Sequence, residues 1–299
     1  MSDRRKHLEF LRSTAREAVW AGDFDRALLV LEDGLALARG WKCRESADIF
    51  FCNRVATLLE LGRMDYDLSS LKEILLRHPS GQLGAFAAYT AGRAHELKRE
   101  FPRARHYAQM ALARSEGEWD YMRGSALNLL GNLAVTESDF DGALPLYQEA
   151  ISVFRACGSE PSRESALAED NIGYIYIARD EVSIGVPMVD RALNQLEHLG
   201  ARQATAYPCL DLCLGHLKAE RFHDAEQWGV RALGLGQEFH KGDVVKNSHY
   251  LLGEIYSETD REEEAEQHFG ALSGFYPEFP SLKTFLHQVN VVGMINLRA

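Results

Sequence analysis

Cys209 and Cys213 stand four residues apart, a spacing that on a helix can present two thiolates to one metal ion. His216 lies nearby, but no third and fourth ligands follow at a convincing spacing. Cysteine is also a small apolar residue that suits tight helical interiors, so packing is the better account and no metal is expected. The run Glu262-Glu263-Glu264 could form an acidic docking patch. It follows Thr259-Asp260 and opens a helical pattern, where the helix dipole stabilises carboxylates, and that plainer reading is preferred. Gly234 and Gly236 do not follow a strand, so they form no phosphate-cradling loop. The chain also contains no GxSxG, HExxH or CxxC motif. No enzymatic chemistry and no cofactor are expected.

Composition bounds the elements that could position any site. The 299 residues are 46% hydrophobic, enough for a continuous core, with 8 prolines and no low-complexity linker. The start, MSDRRKHLEF, is charged with no apolar run behind it, so no signal peptide is expected. No stretch approaches the roughly 20 apolar residues that span a bilayer. Five cysteines without a regular framework favour a reducing compartment, and a cytoplasmic location is expected. Over residues 1–150, 20 lysines and arginines stand against 22 aspartates and glutamates; over 151–299, 13 stand against 22. A nucleic-acid binder would normally carry a basic stripe, so neither nucleic acid nor membrane is an expected partner.

The stretch SALNLLGNLAVTESDFDGALPLYQEAISVF, Ser125 to Phe154, parses as two short amphipathic helices joined by a tight turn. Leu127, Leu130, Leu133 and Ala134 share a face of the first; Ala143, Leu144, Tyr147, Ala150 and Ile151 mark the second. Ser138 occupies an expected N-cap position, with Asp141 three residues later. Gly131 and Ala143 are small enough to let the two helices approach closely, with Tyr147 and Leu130 filling around them. Counterparts of Ala143 recur at Ala27, Ala104, Gly185, Ala225 and Ala265, with a weaker copy near Asp67. The period is close to 40 residues and accounts for nearly the whole chain.

On these residues the sequence resembles the tetratricopeptide repeats, in which a Leu-Gly pair in the first helix answers an alanine twelve residues on. The period near 40 resembles the longer-helix branch that includes kinesin light chains, bacterial peptide-sensing regulators and polarity adaptors. The expected fold is all-α. It is a right-handed α-solenoid of about seven helix pairs in one domain, with repeats at about 3–40, 44–79, 81–115, 119–156, 161–199, 201–239 and 243–276. Gly40 is the expected C-cap of the first repeat. A capping helix is expected over 281–297.

The resemblance also implies where a partner would bind. In the family, the groove is lined by first-helix residues three before and one after the glycine. Here that face comprises Arg12, Arg16, Tyr89, Arg93, Asn128, Asn132, Asp170, Tyr174, Tyr250 and Glu254. Asn128 and Asn132 share a helix face. Their amides can donate to and accept from the backbone of an extended peptide whatever its sequence. The groove is expected to run from basic to acidic and to place basic ligand residues at the late repeats. In the last helix, Leu282, Phe285, Leu286, Val289 and Val292 form the expected inward stripe. Val291, Met294 and Leu297 form a further apolar edge expected to meet a partner or a second copy of the chain.

The function implied is an adaptor or scaffold that binds a protein or peptide partner. One alternative is a peptide-sensing regulator that changes shape to control an effector. Another is a structural subunit of a larger assembly.

Overall fold

A computed structural model describes residues 2–115, 120–158, 162–279, 281–286, 288–289, 291–293 and 295–298. The described residues form helices and connecting turns with no strand, as the 40-residue amphipathic period requires. The fold is an all-α helical-repeat solenoid. Antiparallel pairs are built from α1 (Ser2–Trp20) with α2 (Phe24–Gly40), α3 (Arg44–Glu60) with α4 (Leu68–Arg77), and α5 (Gly81–Leu97) with α6 (Phe101–Arg114). There follow α7 (Asp120–Thr136) and α8 (Phe140–Ala156), α9 (Arg163–Ala178) and α10 (Val182–His198), then α11 (Ala206–Lys218) and α12 (Phe222–Glu238). The series closes with α13 (Gly242–Glu258), α14 (Glu262–Ala271) and a short α15 (Leu282–Leu286).

The turn inside each pair is built one way. A residue in the left-handed region ends the first helix: Gly22, Gly62, Arg99, Ser138, Asp180, Glu220 and Asp260, with φ between 55° and 74°. The next residue then reaches back five positions with its N–H, as in Asp23 to Ala18 O at 2.9 Å and Arg261 to Tyr256 O at 2.8 Å. Five residues after each left-handed residue comes the position that set the period, a small residue in every pair except α3–α4, where it is Asp67. Ser138 is therefore the turn residue and not the N-cap; Asp139 caps α8, its Oδ1 accepting from Gly142 N–H at 2.9 Å. Gly40 is likewise the last helical residue and not the cap, and the left-handed position falls on Lys42. Asp67, the weak counterpart of Ala143, lies outside its helix. It caps α4, accepting from the N–H groups of Ser69 and Ser70, whose contacts hold its carboxyl down to about 2.

Small residues position the helices within a pair. A Cβ on Gly131 would meet the Tyr147 ring at 2.6 Å, one on Gly173 would meet Val189 Cγ2 at 2.6 Å, and one on Gly253 would meet the Phe269 ring at 2.4 Å. Each partner is the residue sixteen positions on, and each is fully buried. The absent methyl is the space these side chains fill, which is why packing is tight there. Cys209 and Cys213 are also fully buried in α11, and burial pushes the Cys209 thiol up to about 12 and the Cys213 thiol higher still. Their environment disfavours the thiolate, as suits packing residues.

The chain divides into two compact units, Met1–Ala134 with Pro145–Glu160, and Val135–Leu144 with Pro161–Ala299. The boundary runs through the Ser125–Phe154 repeat. In the first unit, Phe50, Cys52, Val55, Leu71, Ala87 and Ala88 belong to a core that joins α2 to α6. In the second, α9 to α14 carry fully buried Tyr174, Ile175, Val189, Ala225, Leu251 and Phe269. No helix among the described residues is long and apolar enough to cross a membrane.

The segment after Tyr276 departs most from expectation. Among the described residues, the helix foreseen over 281–297 is present over Leu282–Leu286 only. Phe285 is 49% and Val289 36% exposed, so both face away from the core they were expected to join. Val292 is buried as expected, but Leu297, assigned to an outer edge, is also buried. Met294 lies outside the described residues. Beyond α15 the described residues include turns at 292–293 and 297–298 and no helix.

Candidate peptide-binding faces

The ten groove positions expected from sequence are shared between the two units. Arg12 and Arg16 lie on α1. Arg12 pairs with Glu9 at 3.5 Å, and the Arg16 guanidinium lies over the Trp20 ring at 5.2 Å. Tyr89 and Arg93 lie one turn apart on α5, and Arg93 Nη1 donates to Tyr89 Oη at 3.4 Å. Arg93 also pairs with Glu96 at 2.9 Å and with Glu60 of α3 at 3.8 Å. The early face is therefore not a basic stripe, because two glutamates offset the arginine.

Asn128 and Asn132 are half-buried on α7. Asn132 Oδ1 accepts from the buried Tyr147 hydroxyl at 2.9 Å, and its side chain hydrogen-bonds Glu96. Burial raises the Glu96 carboxyl above its ordinary value, against the opposing effect of Arg93 and Asn132. Gly131 makes this arrangement possible by leaving room for the Tyr147 ring. The result is a chain of polar contacts from α3 through α5 and α7 to α8. Glu60 and Glu96 were missed in the sequence; Glu96 lies three residues after Arg93, the spacing of neighbours on one helix face.

The late face, in the second unit, is built differently. Asp170 and Tyr174 of α9 and Tyr250 and Glu254 of α13 are all buried. Asp170 and Tyr174 meet the chain's own Asn296-Leu297-Arg298. The Tyr174 hydroxyl donates to Asn296 Oδ1 at 2.8 Å and accepts from Leu297 N–H at 2.9 Å. Asn296 Nδ2 donates to Val135 O at 2.7 Å and to Ser138 Oγ at 3.1 Å. Its Oδ1 also accepts from Arg298 N–H at 2.9 Å. Leu297 O accepts from Asn247 Nδ2 of α13 at 2.7 Å, and Arg298 O from Thr136 Oγ1 at 3.3 Å.

The arginine carries the charge. Arg298 Nη2 donates to Asp211 Oδ2 at 2.5 Å and to Asp170 Oδ2 at 3.4 Å. Its guanidinium lies 5.0 Å from the Tyr174 ring centre and 4.6 Å from that of Tyr207, so it is faced by two aromatic rings. Burial, and then the neighbouring Asp211, raise the Asp170 carboxyl well above its usual range. Burial also raises Asp211, with Arg298 opposing. Asp170 Oδ1 and Asp211 Oδ1 have no hydrogen-bond partner. The guanidinium of Arg298 is the cation paired with this buried carboxyl pair, as the cost of burying unpaired charge requires.

Tyr250 lies beside Glu254 and the backbone of Val291, and burial pushes the Glu254 carboxyl up to about 7. Asp211 and Asn247 escaped the sequence reading because the positions flanking Cys213 by the family rule are Leu210 and Leu214. The available signal was a lone carboxylate inside the apolar run Cys209–Gly215.

No family profile matches the chain, and no curated protein matches it in sequence. Solved structures do match in fold. A Rap protein complexed with Competence and Sporulation Factor aligns over 98% of this chain and 84% of its own, with a TM-score of 0.71 and 12% identity. Apo RapI aligns over 95% and 79%, with a TM-score of 0.58 and 10% identity. A tetratricopeptide repeat protein from Parabacteroides merdae aligns over 97% and 100%, with a TM-score of 0.51 and 14% identity. With the repeating helix pairs and left-handed turns described above, these likenesses make the chain a tetratricopeptide-like helical-repeat protein.

Proposed function

We propose that the chain is a non-enzymatic binding scaffold whose first-helix faces take a short peptide segment of a partner protein. One observation carries this reading: the face of α9, α11 and α13 holds a non-helical segment, in part by side chains bonded to its main chain. Tyr174, Asn247 and Thr136 contact backbone groups of Leu297 and Arg298. Side chains that satisfy backbone N–H and C=O groups can hold a peptide with little regard to its sequence. The fold shared with a protein solved in complex with Competence and Sporulation Factor is consistent with such a role. Asn128 and Asn132 would serve the same purpose in the first unit.

The test is selection of a displayed peptide library on the immobilised full chain, with the enriched peptides then titrated against wild type and the Asn128→Ala, Asn132→Ala double variant. Each lost hydrogen bond removes about 0.5–1.5 kcal/mol, so affinity should fall about tenfold or more for peptides bound on the first unit. The loss should persist at high salt, because these contacts are not ionic. Enriched peptides whose binding ignores the asparagine pair and depends on second-helix residues would replace this reading with that of a structural subunit.

A further inference from the structure

Asn296, Leu297 and Arg298 are seated as a ligand is seated. All four hydrogen-bonding capacities of the Asn296 amide are used. The Leu297 side chain is buried, and both its backbone groups are taken by side chains of α9 and α13. Arg298 is faced by two tyrosine rings and ends on a carboxyl pair. The carboxyl pair gives the site its chemistry. Asp170 and Asp211 lie on separate helices, are fully enclosed, and have no protein cation against them other than Arg298 among the described contacts.

Between Tyr276 and Asn296 the described residues are helical over Leu282–Leu286; Leu286 and Val292 are buried, while Phe285 and Val289 remain exposed. The segment makes its own contacts through groups that any peptide of like sequence would carry.

We propose that the face of α9, α11 and α13 is an arginine-anchored peptide site that the chain's own Asn296-Leu297-Arg298 occupies in cis. A partner segment of the form Asn-aliphatic-Arg binds there by displacing it. The inference rests on the peptide-scaffold reading above and adds the ligand chemistry and the competition. Asp211 and Asp170 select guanidinium, Tyr174 and Tyr207 each present a ring to it, and Asn296 is replaced by the asparagine of the incoming segment. Lysine is a poorer anchor, because a compact ammonium cannot span the two rings and the carboxyl pair as a planar guanidinium does.

The probe is a fluorescein-labelled peptide of the sequence GMINLRA, titrated by anisotropy against the full chain. Wild type should bind it at least tenfold more weakly than the full-length Asn296→Ala and Arg298→Ala variants, whose own segments are loosened. A control peptide, GMINLAA, should bind none of them. Asn296→Ala leaves the ion cluster intact, so it reports even where Arg298→Ala fails to fold. In wild type, saturating GMINLRA should raise amide exchange of residues 288–298 while α9, α11 and α13 keep their protection. The proposal is overturned if a folded Asn296→Ala chain binds GMINLRA no better than wild type, or if the segment's exchange is unchanged under peptide that binds. It is also overturned if GMINLAA binds equally well. Should GMINLRA fail while library peptides still depend on Asn128 and Asn132, the cis-occupancy inference falls and the scaffold reading stands.

Discussion

Gly185 is the position in its repeat where others carry alanine, and replacing it with alanine tests the packing of α9 on α10. A Cβ built there lies 2.5 Å from Gly173 O, 2.7 Å from Ile177 Cγ1 and 2.9 Å from Ile177 N. Two of the three obstacles are backbone atoms and the third lies near the root of a packed side chain, so a rotamer change cannot relieve them all. The helices must separate by several tenths of an ångström, and overpacking of this kind costs about 1–3 kcal/mol. Alanine returns about 1 kcal/mol of helix propensity over glycine. With a backbone obstacle the upper part of the range applies, and Gly185→Ala should lose about 2 kcal/mol net. The control is Gly234→Ala in α12, where a Cβ meets nothing within 4 Å; this exposed position should gain about 0.5–1 kcal/mol. Urea denaturation by far-UV circular dichroism is the assay. With two compact units a single two-state fit is not assumed, and amide exchange in α9 and α10 supplies the local reading. A Gly185→Ala chain as stable as wild type would refute the close approach of α9 and α10.

Ala143 is fully buried, and Ala143→Leu should cost on the order of 1–3 kcal/mol by overpacking, read as a lowered melting temperature. Glu254 supplies a pH dependence: its folded value, about 7, lies above the ordinary carboxylate value, so its contribution to stability is full in acid and is lost as pH rises through about 4.5 to 7. The span corresponds to roughly 3 kcal/mol, and the melting temperature of the second unit should fall from pH 5 to pH 8. Glu254→Gln should flatten that slope; an unchanged slope would show that other groups set it.

The residues most legible in the sequence were those whose role is local. A 3.6-residue period and a small residue every 40 positions follow from helix geometry and from the volume two crossing helices can share. The pairs and their turns could therefore be anticipated from Gly131, Ala143 and their copies. Even there, local chemistry was misassigned at Ser138 and Gly40, because the left-handed residue that ends a helix need not be glycine when a hydrogen bond reaching back five positions supports it. Asn128, Asn132, Asp170, Tyr174, Tyr250 and Glu254 were all recognisable as first-helix positions by the family rule.

What those side chains face could not be read from periodicity. The apolar spacing over 281–297 is compatible with a helix, yet burial of Leu297 and Arg298 against α9, α11 and α13 outweighs the propensity of so short a segment, which alone is marginal. A carboxyl pair on two helices becomes a guanidinium site only when the fold brings Asp170 and Asp211 together. The charge that answers it comes from Arg298, more than eighty residues away in the chain. Pattern and spacing thus determined the repeating helices and which residues fall on their first-helix positions. Tertiary structure alone decided that the late face is already filled, because the desolvation of two carboxyls requires a cation and the nearest one in space is the chain's own.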